Sequence, residues 1–74
     1  MSKMPDTWQE ANAWAMERIG KRVFRQSFGC TCISCTAVVN HGITIGDEMQ
    51  AMYMTDCAME MGYRYADTPE EAAG

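Results

Sequence analysis

Three of the four cysteines lie in one short segment, CTCISC at positions 30–35. In an extended segment the side chains at positions i and i+2 point the same way, so Cys30 and Cys32 can present two thiolates to one ion. The two-residue gap between Cys32 and Cys35 is a common chelating spacing, because a tight turn brings both sulfurs around one metal. A tetrahedral structural zinc site needs a fourth ligand. The spacing therefore predicts a site with three local thiolates and one donor from elsewhere in the chain.

Two residues are candidates for the fourth ligand. Cys57 follows Cys35 by 22 positions and would complete an all-cysteine site that ties the cysteine segment to a predicted helix. His41 would instead give three thiolates and one imidazole. We favour Cys57, because a lone histidine in an Asn-His-Gly turn is more often an exposed turn residue. A thiol on an apolar helical face is also often a small buried hydrophobic group, so external ligands, pairing between chains and the absence of any metal stay open as well.

Zinc is the metal that this donor set favours, because sulfur-rich tetrahedral sites bind it well. An iron–sulfur cluster is the main alternative, since four cysteine sulfurs satisfy it equally. A redox role for Cys32 and Cys35 ranks third: such a pair usually lies at a helix N-terminus that lowers the thiol pKa, whereas strand-like residues follow here. Disulfides rank last, because the start of the sequence lacks the apolar run of a signal peptide. Since four thiolates outweigh the charge of Zn²⁺, we expect at least one of Lys21, Arg22 and Arg25 to approach the site.

The elements that must position these residues follow from periodicity and turn residues. Thr7 and Glu10 fit a capping box, which predicts a helix that begins near Trp8 and stops at Gly20. Later segments predict a strand at 21–28, a β-hairpin formed by 36–39 and 43–45, a second helix at 48–61 and an edge strand at 63–66. The predicted fold is α+β, with an N-terminal helix, a small antiparallel hairpin or sheet carrying the cysteine knuckle, and the second helix packed on it.

Length and charge limit the possible functions. A chain of 74 residues is predicted to form a single domain, 1–74, whose small core is supplemented by zinc, with residues 1–6 and 68–74 frayed. The net charge is −4, and residues 46–74 carry seven acids against Arg64 alone. This acidity disfavours nucleic-acid binding. No stretch reaches the length of a membrane span, so we expect a soluble, cytoplasmic protein without a membrane partner.

The second helix is predicted to carry the interaction surface. Met49, Tyr53, Cys57 and Met61 lie four apart and Met52 joins them, so this side is predicted to face the core. Five of the eight methionines lie on or around this helix, more than one inward stripe can bury, and Met54 and Met59 are predicted to fall outside it. Flexible thioether side chains suit adaptable interfaces. The predicted interaction surface consists of Met52, Met54, Met59, Glu48 and Asp56.

We expect a non-catalytic protein-interaction module rather than an enzyme. The single histidine leaves few catalytic combinations, and neither a phosphate-binding glycine loop nor a pair of catalytic carboxylates appears. A protein partner or self-association is expected. The alternative is a zinc-ribbon-like nucleic-acid binder, in which basic and stacking side chains would contact the bases and phosphates: Lys21, Arg22, Arg25, Phe24 and Phe28.

About half of the chain resembles a known group of proteins. The run FGCTC at 28–32 with Cys35, a short hairpin, the segment DEMQAMYM at 47–54 and Tyr63-Arg64-Tyr65 are similar to small, uncharacterised zinc-ribbon-like proteins encoded by tailed phages. Those proteins commonly carry two CxxC pairs, where this chain has one. The resemblance implies an accessory or host-interaction role rather than a particular activity.

Overall fold

The computed structural model describes residues 2–27 and 29–74 of the chain. Phe28, which belongs to the predicted strand at 21–28 and to the alternative nucleic-acid surface, lies outside the described residues. Within them the chain forms four helices and one two-stranded antiparallel sheet, which confirms the predicted α+β class. The elements are α1 (Trp8–Met16), β1 (Arg22–Val23), α2 (Ile33–Asn40), β2 (Ile43–Thr44), α3 (Glu48–Met61) and α4 (Pro69–Ala73).

The two longest helices begin where the sequence predicts. The backbone N–H of Glu10 donates to the Thr7 hydroxyl at the start of α1, and the N–H of Gln50 donates to the Asp47 carboxylate, 2.8 Å away, at the start of α3. Each contact satisfies a helix donor that has no partner within the helix. Gly62 ends α3 with a φ of 87°, a left-handed conformation that glycine adopts without a Cβ clash. α1 ends at Met16, before the predicted stop at Gly20.

Most of the core lies along the seam between α1 and α3. Small side chains on both helices, Ala11 and Ala15 on α1 and Ala51 and Ala58 on α3, are fully buried and allow the helices to approach closely. Larger side chains fill the space around this seam: Met4, Trp14, Val23, Ile45, Met54 and Tyr65. The short sheet closes one side of the core through Val23, which pairs with Ile43.

The predicted hairpin is wrong. Residues 36–39 belong to helix α2, and β2 pairs instead with β1, in the register Arg22 with Thr44 and Val23 with Ile43. β-Branched residues favour strands only when a neighbouring strand is available, and here β1 pairs with residues 43 and 44 while residues 36–39 make helical hydrogen bonds. The N–H groups of His41 and Gly42 both donate to the Ala37 carbonyl, so the Asn-His-Gly turn ends a helix and leads into β2.

The predicted inward face of α3 is also wrong. Its buried residues are Ala51, Met54, Thr55 and Ala58, whereas Met49, Tyr53 and Met61 are 80%, 68% and 69% exposed. Three of the four buried residues are small, which suits a close seam with the alanines of α1, and Met49, Tyr53 and Met61 lie on other sides of the helix and point to solvent. Met54 is 3% exposed, which removes it from the predicted interaction surface, and Met59 is half-buried against the core.

Both ends of the chain make contacts where we expected fraying. Met4 is buried, and its N–H donates to the Tyr65 carbonyl over 2.8 Å. Residues 69–73 form α4, which begins at the capping hydroxyl of Thr68. The predicted edge strand at 63–66 is replaced by isolated bridges that join Ala66 to Lys3 and to Phe24. Across the described residues, no helix combines the length and apolar character needed to cross a bilayer.

Candidate metal centre and the exposed face of α3

The fold brings Cys30, Cys32 and Cys35 together. Their three Sγ atoms all lie within 4.8 Å of one another, and the Sγ atoms of Cys30 and Cys32 are 3.3 Å apart. Two sulfurs bound to one tetrahedral zinc at about 2.3 Å would be separated by roughly 3.8 Å. The three thiols therefore already lie at separations close to those of a metal site, and they could bind a metal ion.

The cysteines lie at the start of a helix rather than in a knuckle before a strand. Cys32 is the N-terminal capping residue of α2, and its Sγ accepts the backbone N–H of Cys35 over 3.4 Å. Cys32 and Cys35 are thus held on one helical turn. Backbone N–H groups at a helix N-terminus stabilise negative charge, so this position suits thiolates.

The environment changes the acidity of two of these thiols. The N–H of Cys35, helped by the thiol of Cys30, lowers the pKa of Cys32 to about 7. The pKa of Cys30 is raised: the backbone N–H of Cys32 lowers it, but hydrogen bonds with the side chains of Cys35 and Cys32 outweigh that effect. Because metals bind thiolates, the lowered pKa of Cys32 favours its metal-binding form near neutral pH.

Arg25 is the cation that approaches the cysteines, as we expected for at least one of the three nearby basic residues. Its Nη2 atom lies 3.8 Å from the Sγ of Cys35, and its guanidinium carbon lies 4.5 Å from the centre of the Tyr63 ring. Nη1 donates to the Gln26 carbonyl, 2.9 Å away. Held by these contacts, the positive charge of Arg25 would offset part of the negative charge of a thiolate-bound metal.

Cys57 lies near the cysteine cluster without belonging to it. It lines the same cavity of about 420 Å³ as Cys30, Cys35 and Arg25. Within the described parts of the chain, however, the close group of ligand atoms contains three cysteines and includes neither Cys57 nor His41. The role of Cys57 as a ligand stays a prediction.

His41 lies at the other end of α2. It is the C-terminal capping residue, and it is exposed. Six residues of α-helix separate two positions by about 9 Å along the axis, which is the spacing from Cys35 to His41. The fold therefore orients α2 so that its N-terminus, not the histidine, faces the cavity shared with Cys57.

Comparison with known proteins adds no relative to this picture. No protein-family model, curated protein or solved structure matches the chain. The resemblance to phage-encoded zinc-ribbon-like proteins thus stays a prediction, and the candidate site is interpreted from its own geometry.

A second candidate site is the exposed side of α3, opposite the buried seam. We define the α3 face as Glu48, Met49, Met52, Tyr53 and Asp56, all of them exposed. Glu48, Met52 and Asp56 belong to the predicted interaction surface, while Met49 and Tyr53 were expected in the core. The alanines at 51 and 58, which can line a close helix seam, are the sequence signal that could have identified the correct orientation.

Proposed function

We propose that the chain is a non-catalytic, zinc-binding module in which Cys30, Cys32 and Cys35 bind one Zn²⁺ and Cys57 completes the site. The close grouping of the three Sγ atoms within 4.8 Å supports this proposal most directly. Zinc thiolate sites that are filled by four protein ligands are structural, since no position is left for a reacting water.

The packing of α2 gives such a metal a structural task. No residue of α2 is fully buried, and Ile33 in its first turn is 90% exposed. A short helix with so little buried surface gains little from hydrophobic packing. A metal that linked Cys32 and Cys35 on α2 to Cys57 on α3 would fix this helix against the core.

Native mass spectrometry of the purified protein tests the metal site. We expect one zinc per chain, lost on treatment with a chelator and lost or strongly weakened in Cys30→Ser, Cys32→Ser and Cys35→Ser. Cys57→Ser should also weaken binding, whereas His41→Ala serves as the matched control and should retain the metal. Retention in Cys57→Ser would remove it from the ligand set, and protein without zinc in every preparation would contradict the proposal.

An iron–sulfur cluster is the alternative occupant of the same four sulfurs. Such clusters are held by cysteine thiolates and absorb visible light, whereas Zn²⁺ is a d¹⁰ ion without such bands. We propose zinc because three of the thiols already lie at separations that suit a single ion. A colourless protein with one zinc supports this assignment, and a brown protein with stoichiometric iron and sulfide contradicts it.

A thiol–disulfide role for Cys32 and Cys35 is a second candidate function, and one observation favours it. The pair lies at the N-terminus of a helix, and the pKa of Cys32 is lowered to about 7, as is typical of redox-active pairs. In that reaction two thiols would reduce one glutathione disulfide, forming the Cys32–Cys35 disulfide and two molecules of glutathione. To distinguish the two functions, metal-free protein is equilibrated with glutathione buffers and the Cys32–Cys35 disulfide is detected by peptide mapping. If this disulfide forms only under strongly oxidising conditions, the metal-binding function is favoured.

We also propose that the module acts by binding a protein through the α3 face, in a reducing, cytoplasmic compartment where thiols stay available for metal. The exposure of Met49 and Tyr53 supports this, because soluble proteins seldom leave several large apolar side chains together in solvent without a partner. Nucleic acid is not the proposed partner, since the charged residues of this face are acidic. A flat salt response, or no binding, with mixed oligonucleotides is the expected result.

A further inference from the structure

The α3 face combines an apolar stripe with acidic groups. Met49, Met52 and Tyr53 are 80%, 45% and 68% exposed. They line a groove of about 770 Å³, and all the charged residues that line it with them are acidic: Asp47, Glu48 and Asp56. The groove therefore offers apolar contacts together with a negative potential that attracts positive charge.

The residues of the α3 face are spaced in a way that suits contact with a helical ligand. Positions 49, 52, 53 and 56 follow the pattern i, i+3, i+4, i+7, which places them on one side of α3 over two turns, about 10 Å. Partner helices commonly present anchors with the same spacing. Methionine side chains adapt to the shape of such anchors because their three torsions are flexible.

The acidic charge of the α3 face disfavours a second copy of the chain as its occupant. A symmetric dimer through this face would place Glu48 and Asp56 against the same acids of the other copy, and like charges at an interface oppose association. Trp8 holds one of these acids in place, because its indole N–H donates to the Asp56 carboxylate. A partner with an apolar stripe and cationic groups beside it would cover the apolar side chains of the α3 face and neutralise its acidic groups.

We infer that the α3 face binds a basic amphipathic helix of a partner protein. The inference rests on the proposed function only in assigning protein binding to this face, and it names the partner's chemistry. Apolar anchors of the partner would pack on Met49, Met52 and Tyr53, while its Lys or Arg side chains would lie near Glu48 and Asp56.

Binding of a synthetic probe tests the inference. The probe is a fluorescein-labelled 18-residue helical peptide with Leu on one side and Lys on the other, titrated against zinc-loaded protein at physiological salt and followed by anisotropy. We expect saturable binding that weakens about tenfold or more in the double variant Met49→Ala/Tyr53→Ala, as for truncation of central anchors. Met61→Ala is the matched control: Met61 is 69% exposed on the same helix but does not line the groove, and binding should not change.

Charge variants test the acidic groups of the α3 face separately from its apolar side chains. Glu48→Lys should weaken binding of the Lys peptide, while Glu70→Lys, at an exposed acid on α4, should leave it unchanged. A peptide with Glu in place of every Lys should bind at least tenfold more weakly than the Lys peptide. Equal binding of the two peptides would overturn the basic-partner inference, although the face itself would remain a protein-binding surface.

Two further results would also overturn it. Equal loss of binding in Met61→Ala and in the double variant would show that the probe does not recognise the groove. Concentration-dependent sedimentation that disappears in Met49→Ala/Tyr53→Ala would identify a second copy as the occupant. Zinc content measured on the same samples keeps the two proposals apart: zinc-loaded protein that ignores the probe contradicts only this inference, and metal-free wild-type protein that binds it contradicts only the metal site.

Discussion

Replacing Met54 by alanine tests which side of α3 faces the core. Met54 is 3% exposed and packs in the α1–α3 seam, whereas Met49 on the same helix is 80% exposed. Methionine and alanine have similar helix propensities, so Met49→Ala is a matched control for Met54→Ala. Any large difference between the two variants therefore reports burial rather than helix formation.

The expected magnitude follows from the atoms removed. Truncating a fully buried methionine to alanine loses about three heavy atoms of buried surface, about 2 kcal/mol of transfer free energy at ~0.8 kcal/mol per methylene-sized group. The residual cavity adds about 1 kcal/mol, giving a destabilisation of about 3 kcal/mol. For a domain of this size that lowers the melting temperature by about 12 to 24 °C. Met49→Ala should change the free energy of unfolding by less than about 0.5 kcal/mol.

Urea unfolding monitored by tryptophan fluorescence provides the assay, because Trp14 is buried in the same core. Metal-free protein in chelator keeps zinc binding out of the measured free energy. If Met54→Ala proves too unstable to fold, Met54→Leu should still fold, with a loss below about 1.5 kcal/mol. Equal destabilisation by the variants at 49 and 54, or a larger effect at 49, would refute the orientation of α3 described above.

Three further predictions concern other parts of the molecule. Arg18 donates to the Asp67 carboxylate over 2.6 Å and holds the pKa of that carboxyl group well below its usual range. The ionised Asp67 therefore stabilises the fold above a pH of about 4, and this stabilisation is lost as the pH falls further. Asp67→Asn should flatten the acid side of a plot of unfolding free energy against pH, and an unchanged plot would contradict this. Gly42→Ala should destabilise the protein by about 1–3 kcal/mol in the same urea assay, because φ is +77° and the new Cβ would lie 2.5 Å from a side-chain carbon of β1. Gly29 also has a positive φ but faces open space, so Gly29→Ala should destabilise the protein less. A larger effect at Gly29 than at Gly42 would be inconsistent with the structure. Zinc affinity, measured by competition with a chromophoric chelator, should fall as the pH is lowered from 8 to 6, because protons compete with the metal for the thiolates of Cys30 and Cys32. A flat profile over this range would argue against thiolate ligands.

Local signals in the sequence were enough to locate the two long helices. Thr7 and Asp47 cap α1 and α3, and Gly62 ends α3, because these contacts involve residues only a few positions apart. The three-cysteine cluster was predictable for the same reason. Its members lie within six residues, and the chain cannot separate them far.

Other features depended on contacts between distant segments. Residues 36–39 have the side chains of a strand, yet β1 pairs with residues 43 and 44, so α2 forms where a hairpin was predicted. The spacing and hydrophobicity of Met49 and Tyr53 suggested a core position, but α3 packs on the core through its other side, where Ala51, Met54, Thr55 and Ala58 are buried. Neither outcome is encoded within a single short window of sequence, since each depends on which partner surface becomes available.

The sequence by itself determined the starts of α1 and α3, the grouping of Cys30, Cys32 and Cys35, and the acidic character of the second half of the chain, because these depend on covalent proximity and composition. Only the tertiary structure decided that Arg25 lies beside Cys35, that Cys57 lines the neighbouring cavity, and that Met49, Met52 and Met61 of α3 face solvent while Met54 is buried. The physical reason is that burial and long-range proximity are properties of packed pairs of surfaces. The close seam between α1 and α3 therefore sets which side chains remain available for function.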